Sequence, residues 1–440
     1  MWRGKMPASH VDEKNNDVIT VINGPRCALG PRIVSRGSLY ISNGKLQHLY
    51  AESKAPPGTG NKIDLDGFLL LPGLINAHDH LQYALHPRIG HPPYNNYVEW
   101  GEDIHARFPE LIARYNSVPR DIRLWWGGIR NVLCGTTTVC HHDPLWPALR
   151  SEGYPARVLN AYGWAHSIRL DPGIRRAWDA TPDKSAFFVH LCEGTDSLAK
   201  REIVDLDSLG MLNAKTVVVH GLALDRPGTA LLRERQASLI LCPSSNQFLY
   251  RRLPDIEVLR AMERVALGND SPLTADGDLL DEVRFAIERL AIPIDVAYRM
   301  ITDVAAGILR LTNGEGHIRE LGNADFIAVR DNGDPPCERM LTLTWRDIEF
   351  VLIGGKVQLA SEDVWRLLPA AARHRMEPLC IDGCIRWLRA PIRQLTQRAE
   401  DFLGPGMVRL GDRKVRLPNF GISTSSVVAH YPKHQGEERL

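Results

Sequence analysis

Two histidines one residue apart, His78 and His80, close the run Phe68-Leu-Leu-Leu-Pro-Gly-Leu-Ile-Asn-Ala-His78-Asp-His80. In an extended strand, residues i and i+2 share a face, so both imidazoles leave the strand's end in one direction and can chelate one cation. The pair does not decide the matter alone, since 16 histidines scattered over 440 residues give roughly 0.6 such pairs by chance. What decides is whether other strands end in donors too. Ala186-Phe-Phe-Val-His190-Leu-Cys-Glu193 and Thr216-Val-Val-Val-His220 are apolar runs closing on histidine, and Arg264-Val-Ala-Leu-Gly-Asn-Asp270-Ser271 closes on a carboxylate. Short apolar runs of this kind read as strands covered on both faces. In a parallel barrel the C-terminal ends of such strands converge on one mouth.

The elements that must position these tips alternate short apolar runs with helical stretches between residues 67 and about 310, the pattern of βα units. The strand candidates are 68–77, 136–142, 157–163, 186–190, 216–220, 237–242 and 264–269. A closed (β/α)8 barrel needs one more. The segment 164–184 is too short for a further strand and two helices, so either a vestigial strand sits around residues 166–170 or the barrel is distorted there. The connection 81–135 is long instead. Its second half, 118–133, reads as a helix with a proline near its start, and 82–97 carries His86, His91, prolines and aromatics, the candidate lid over the mouth. The N-terminal flank shows short strands at 18–22, 37–42 and 45–50, the last two joined by an Asn43-Gly44 hairpin turn. Similar runs recur at 324–329 and 347–353, and 362–440 offers a basic helical stretch, 385–402, followed by an irregular tail.

Taken in order, Pro72-Gly-Leu-Ile-Asn-Ala-His78-Asp-His80, His190-Leu-Cys-Glu193, His220, Cys242-Pro-Ser-Ser-Asn246 and Leu267-Gly-Asn-Asp270-Ser271 resemble the metal-dependent amidohydrolase superfamily. The resemblance is to the branch holding cytosine, guanine and S-adenosylhomocysteine deaminases and the triazine chlorohydrolases. It implies an α/β fold: a (β/α)8 TIM-like barrel with one βα unit shortened, beside a small β-sandwich domain built from both flanks. The expected division is 1–66 and 316–361 for the sandwich, 67–315 for the barrel, and 362–440 for a C-terminal helix and tail.

The resemblance further implies one divalent metal, Zn2+ or Fe2+, held by His78, His80, His190 and Asp270. Three neutral ligands and one carboxylate leave net positive charge, and such a cation lowers the pKa of bound water toward roughly 7, so the nucleophile is a water-derived hydroxide. The run 157–164 has no Lys to bridge a second metal, and Glu193, three residues past His190, fits the single-metal pattern. Glu193 is the expected proton shuttle, His220 hydrogen-bonds the attacking water or stabilises the oxyanion, and Asp270 also accepts a proton. For the substrate, Gln82 offers an amide to a heterocycle edge. Of the adjacent His141 and His142, which point to opposite faces, His142 is the other substrate candidate, the alternative being a histidine that supports the site from behind. Asn246 is expected to orient neighbours after strand 237–242 rather than to touch substrate.

The reaction so implied is attack on an sp² carbon of a small molecule, deamination of an amino-substituted N-heterocycle with release of ammonia. The same site would serve hydrolysis of an amide, urea or carbon–halogen bond. A non-catalytic scaffold is the reading from another class, and it expects a lost ligand, whereas every expected ligand is present. The rest of the chain excludes other chemistries. Its 53 basic and 52 acidic residues leave a formal charge of +1, with no field for nucleic acid or an anionic membrane, so the expected partner is a small molecule. No phosphate-binding Gly-Lys loop, dinucleotide fingerprint or Gly-x-Ser-x-Gly elbow occurs, and Pro336-Cys337-Glu-Arg-Met340 lacks the second cysteine of the small zinc deaminases. Eight cysteines without paired ligand spacing read as small hydrophobes, and the start has no apolar signal region, which points to a cytoplasmic enzyme. A homodimer is implied by the relatives alone.

Overall fold

A computed structural model describes residues 20–51 and 60–418. At its centre, parallel strands follow one another in chain order: β1 (Leu74–Asp79), β2 (Thr136–His141), β3 (Arg157–Val158), β4 (Tyr162–Ser167), β5 (Ala186–Leu191), β6 (Thr216–His220), β7 (Ser238–Leu241) and β8 (Val265–Leu267). β1 to β3 form one sheet and β4 to β8 another. The two meet where β8 returns to β1, through a parallel bridge between Asp79 and Asp270 and the bond from the Asp270 amide to the His78 carbonyl at 3.0 Å. On the other side, no ladder joins β3 to β4 among the described residues.

These runs form strands because both faces are buried. Ile75, Ala77, Phe188, Val217, Val219 and Ile240 pack into an inner core. The residues alternating with them, such as Leu74, Phe187, Val189, Val218 and Leu239, pack outward against the helices. Helices follow most strands, including Arg120–Leu133 after β1, Ser197–Ser208 after β5, Arg226–Glu234 after β6 and Leu279–Leu290 after β8. Only the short turn Pro147–Arg150 lies between β2 and β3, and none between β3 and β4. The shortened unit expected after residue 164 therefore falls earlier, and the run 157–163 is divided between two strands. What was legible as a trace of strand around 166–170 is the end of β4.

The run 68–77 is also two strands. Phe68–Pro72 pairs with Phe326–Arg330 in the outer sheet, and the chain crosses to β1 at Gly73. A Cβ on Gly73 would stand 2.2 Å from Thr137 Oγ1, so only glycine lets the chain pass from one sheet to the other here. The outer sheet takes strands from both ends of the chain, from Thr20–Asn23 to Arg413–Arg416, and has its own core around Ile22, Leu39, Ile63, Phe326 and Phe350. The C-terminal segment joins it. Residues 385–388, expected as helix, belong to the strand Cys384–Leu388, which pairs with Glu377–Ile381 across an Asp382-Gly383 turn whose residues both have positive φ. The helix begins only after Pro391, at Ile392–Leu403, and buries Leu395, Ala399 and Leu403. The start of the expected strand 18–22 and the end of the tail lie outside the described residues. Among those described, no helix is long and apolar enough to cross a membrane.

Candidate metal centre and active site

His78, His80 and His190 bring their Nε2 atoms together at the mouth of the strands. His190 Nε2 lies 3.3 Å from His78 Nε2 and 3.4 Å from His80 Nε2, and Asp270 Oδ1 is 3.7 Å from both His78 and His80. Strict alternation would put His78 on the face opposite Ala77. The register of β1 against β2 shifts between Asn76 and Asp79, and this irregularity turns His78 inward to meet His190. Asp79, between the two histidines, accepts from Arg130, Asn131 and Asn76 at 3.2, 2.8 and 3.1 Å, which ties the strand tip to the helix Arg120–Leu133. A Cβ on Gly268 would stand 2.5 Å from His78 Cβ, so glycine allows β8 to bring Asp270 this close. Asp270 and His220 leave their strands with φ of 54° and 72°, which swings both side chains into the mouth.

The opposite ring nitrogens settle which atoms carry protons. His190 Nδ1 faces the His166 carbonyl at 2.7 Å, and a carbonyl only accepts, so Nδ1 holds the hydrogen and Nε2 is bare. His80 Nδ1 donates to Asp143 Oδ2 at 2.8 Å with the same result. His78 is governed at one remove. His142 Nε2 donates to the Ala165 carbonyl at 2.9 Å, leaving His142 Nδ1 to accept from His78 Nδ1 at 3.2 Å. Burial, then the neighbouring His78, hold His142 far below the usual imidazole range, so it has no second proton to offer. Three bare nitrogens and a carboxylate oxygen thus face one another, an arrangement stable only around positive charge, and the set fits a divalent cation. Burial opposes ionisation of His80, yet Asp143, Asp270 and Asp79 outweigh it and raise its pKa to about 9, so positive charge is favoured at Nε2, as a proton or as a cation that displaces it. For Asp270, burial pushes upward, but the neighbouring His78, at 3.7 Å, and the fields of His220 and His80 hold it below the ordinary carboxylate range. Its other oxygen accepts from Ser245 at 2.7 Å and Thr274 at 3.0 Å. Cys242 also comes within reach of His78 and His220, but burial drives its thiol pKa well up, and a proton-bearing sulfur is a poor ligand.

Glu193 is buried beside this cluster. Its Oε2 lies 3.6 Å from His220 Nε2, and its Oε1 accepts from the Tyr250 hydroxyl at 2.9 Å. Burial raises its pKa, with the field of His220 pulling the other way. His220 Nδ1 is 3.1 Å from Asn246 Oδ1, on the helix Pro243–Tyr250 that follows β7. A partly open cavity of about 290 Å³ lies above, with His80, His190, Glu193, His220 and Asp270 at its base. Tyr83, His86, Ile89 and Tyr97, from the expected lid segment, line it together with Trp100, and His166 and Leu170 line it as well. A larger groove of about 880 Å³, between residues 256 and 310, holds none of these donors.

The two expected substrate contacts are elsewhere. Gln82 donates from its amide to Asp143 Oδ2 at 2.5 Å, and His142 lies behind His78; neither lines the cavity. His141 is buried on the other side of β2, accepting from the Leu81 amide at 3.3 Å. Sequence reasoning missed Asp143, Tyr250, Ser245 and Thr274. Only Asp143 left a signal, as a carboxylate directly after the polar end of β2.

Comparison with known proteins finds a model of the amidohydrolase family matching residues 184–358. A 5-methylthioadenosine/S-adenosylhomocysteine deaminase of Haloquadratum walsbyi is 33% identical over 327 residues, 61% of this chain and 72% of that one. The enzyme so named from Bacillus cytotoxicus is 23% identical over 368 residues, 67% and 82% of the two chains. Among solved structures, an adenosine deaminase from Xanthomonas campestris with bound zinc superposes with a TM-score of 0.61 at 17% identity, covering 88% of this chain and 97% of that one. An atrazine chlorohydrolase from Arthrobacter aurescens TC1 complexed with zinc gives 0.65 at 15% identity, covering 87% and 99%. At such identities the likeness is one of fold.

Proposed function

The chain belongs to the amidohydrolase family, and from that premise we propose that it is a metal-dependent aminohydrolase, releasing ammonia from an amino-substituted N-heterocycle. It is a hydrolase acting on carbon–nitrogen bonds other than peptide bonds. In this reading its parallel strands make a TIM-like (β/α)8 barrel, opened between β3 and β4, with a small β-sandwich contributed by both flanks. The observation that carries the proposal is the meeting of three bare imidazole nitrogens with Asp270, directly beside a buried carboxyl held between His220 and Tyr250.

His78, His80, His190 and Asp270 would hold one divalent cation, zinc or iron, which when bound acts as a Lewis acid and makes water nucleophilic near neutral pH. His220 donates a hydrogen bond from Nδ1 to Asn246 Oδ1 and presents Nε2 to the attacking water, which sets the face of approach. Water adds to the carbon bearing the amine. Glu193, whose pKa burial raises, takes a proton from the water and passes it to the adjacent ring nitrogen. A second transfer through Glu193 protonates the leaving amine, so one water enters and one ammonia departs. Tyr250 fixes Oε1 of Glu193 and leaves Oε2 to move the proton. Asp270, held ionised, is a second acceptor for a water proton.

The test is ammonia release by zinc- or iron-loaded protein over aminated purines, pteridines, pyrimidines and triazines, with chloride release followed on chlorotriazines. Ammonia release lost in Glu193→Gln is the expected result. Chloride release alone would transfer the site to carbon–halogen hydrolysis, and silence from fully metallated protein would refute both.

A further inference from the structure

His86 is a buried polar residue of the cavity that the chemistry above does not use. It is 3% exposed, lines the cavity, and neither Nδ1 nor Nε2 has a hydrogen-bond partner. The Asn116 side chain and the Tyr83 backbone are close enough to be felt, but neither is in hydrogen-bonding geometry with a ring nitrogen. Buried polar groups are nearly always paired, so two unpaired ring nitrogens on a cavity wall call for a partner from inside the cavity. Burial, reinforced by the field of Arg123, lowers the His86 pKa to about 3, so at neutral pH the ring offers one N–H donor and one bare acceptor.

Position and charge specify what the partner is. The Tyr83 ring contacts both His80 and His86, with centroids 6.2 Å from the first and 5.2 Å from the second, while His86 makes ring contacts only with Tyr83 and Tyr115 among the described residues, so it sits away from the reacting end. Ile89, Trp100, Ile104, Leu249 and Leu273 supply apolar and aromatic wall. Among the described residues no Lys or Arg lines the cavity, while Asp143, Glu193 and Asp270 do, so an anionic group bound away from the metal would find no cationic partner.

We propose that His86 is a substrate-binding residue that sets specificity. It hydrogen-bonds an uncharged polar group on the part of a heteroaromatic amine remote from the departing nitrogen, and the site rejects substrates carrying phosphate or carboxylate. The inference rests on the aminohydrolase reading for the orientation of the substrate and not for the existence of the contact.

Binding is measured by calorimetric titration of metal-loaded Glu193→Gln protein, which holds substrate unreacted, with and without His86→Phe. The probes are adenosine, 5′-methylthioadenosine, guanine, cytosine and melamine, with adenosine monophosphate and S-adenosylhomocysteine as charged counterparts. Phenylalanine keeps the ring packing against Tyr83 and Tyr115, at 5.2 and 5.1 Å, and removes only the hydrogen bonds. The expected result is that an uncharged probe binds, that His86→Phe weakens it about 10-fold with an unchanged melting midpoint, and that the charged counterparts bind more weakly. His86→Asn, which keeps a donor and an acceptor, should recover part of the loss and replaces His86→Phe if that variant does not fold. Equal affinity in the variants, equal affinity for the charged probes, or no binding by any uncharged probe would overturn the inference. Turnover by protein retaining Glu193 separates the two proposals. A His86-dependent ligand that releases no ammonia sinks the aminohydrolase reading alone, and ammonia release with affinity indifferent to His86 sinks this one alone.

Discussion

Replacing His142 with phenylalanine should strip the metal from this protein although His142 is not one of the proposed ligands. The ring stacks on His190 with centroids 4.1 Å apart and planes 9° from parallel, and phenylalanine can occupy that slot. What disappears is the acceptor for His78 Nδ1 at 3.2 Å and the donor to the Ala165 carbonyl at 2.9 Å. His78 is then free to carry its proton on Nε2, the atom that must be bare to bind a cation. Groups that orient a ligating histidine typically contribute about 10–100-fold in metal affinity, equivalent to ~1.4–2.8 kcal/mol. Leaving the buried Ala165 carbonyl unpaired costs a further ~1–3 kcal/mol of fold stability. The assay is competition with a chromogenic chelator, giving the zinc dissociation constant of each protein, alongside thermal melts of the chelated forms. His142→Gln, whose amide oxygen can still accept from His78, should recover part of the affinity. Unchanged zinc affinity in His142→Phe would show that the tautomer of His78 is not set through His142, and the reasoning would fail.

Three further outcomes are expected. Tyr250→Phe removes a hydrogen bond that lowers the Glu193 pKa, so that pKa should climb and the acidic limb of the kcat/KM profile should move to higher pH; an unmoved limb would contradict the role given to Tyr250. Gly268→Ala forces a Cβ to within 2.5 Å of His78 Cβ, and should lower stability by ~1–3 kcal/mol and weaken metal retention together, read by melts with and without chelator. Glu282 is buried under Ser244, and burial raises its pKa from 4.5 to about 8. A carboxyl raised on folding keeps its proton longer in the native state, so the fold loses stability as pH rises from about 4.5 to about 8, with no further loss above. Glu282→Gln should flatten that decline in melting temperature, and an identical slope would refute the assignment.

Much of the site could be read from the chain because its makers are local. An apolar run covered on both faces and ending in His, Asp or Glu is visible in a few consecutive residues, so His78, His80, His190, Glu193, His220 and Asp270 are each legible at their own strand ends. The Asn43-Gly44 hairpin is legible on the same ground, and Asp382-Gly383 carried an equal signal that the helical reading of 385–402 overrode.

What the sequence determined by itself, then, is which donors exist and that strands end in them, because strand formation and burial follow from neighbouring side chains. Only the tertiary structure decided how they are used. The inward turn of His78 depends on a register shift against β2, and the crossing at Gly73 depends on Thr137 of a different strand. The proton positions depend on pairs far apart in the chain: His142 with His78, Asp143 with His80, Tyr250 with Glu193. A hydrogen bond across the strands' common mouth is set by which strands become neighbours and how far each is staggered, and neither quantity is written in the residues on either side of a histidine.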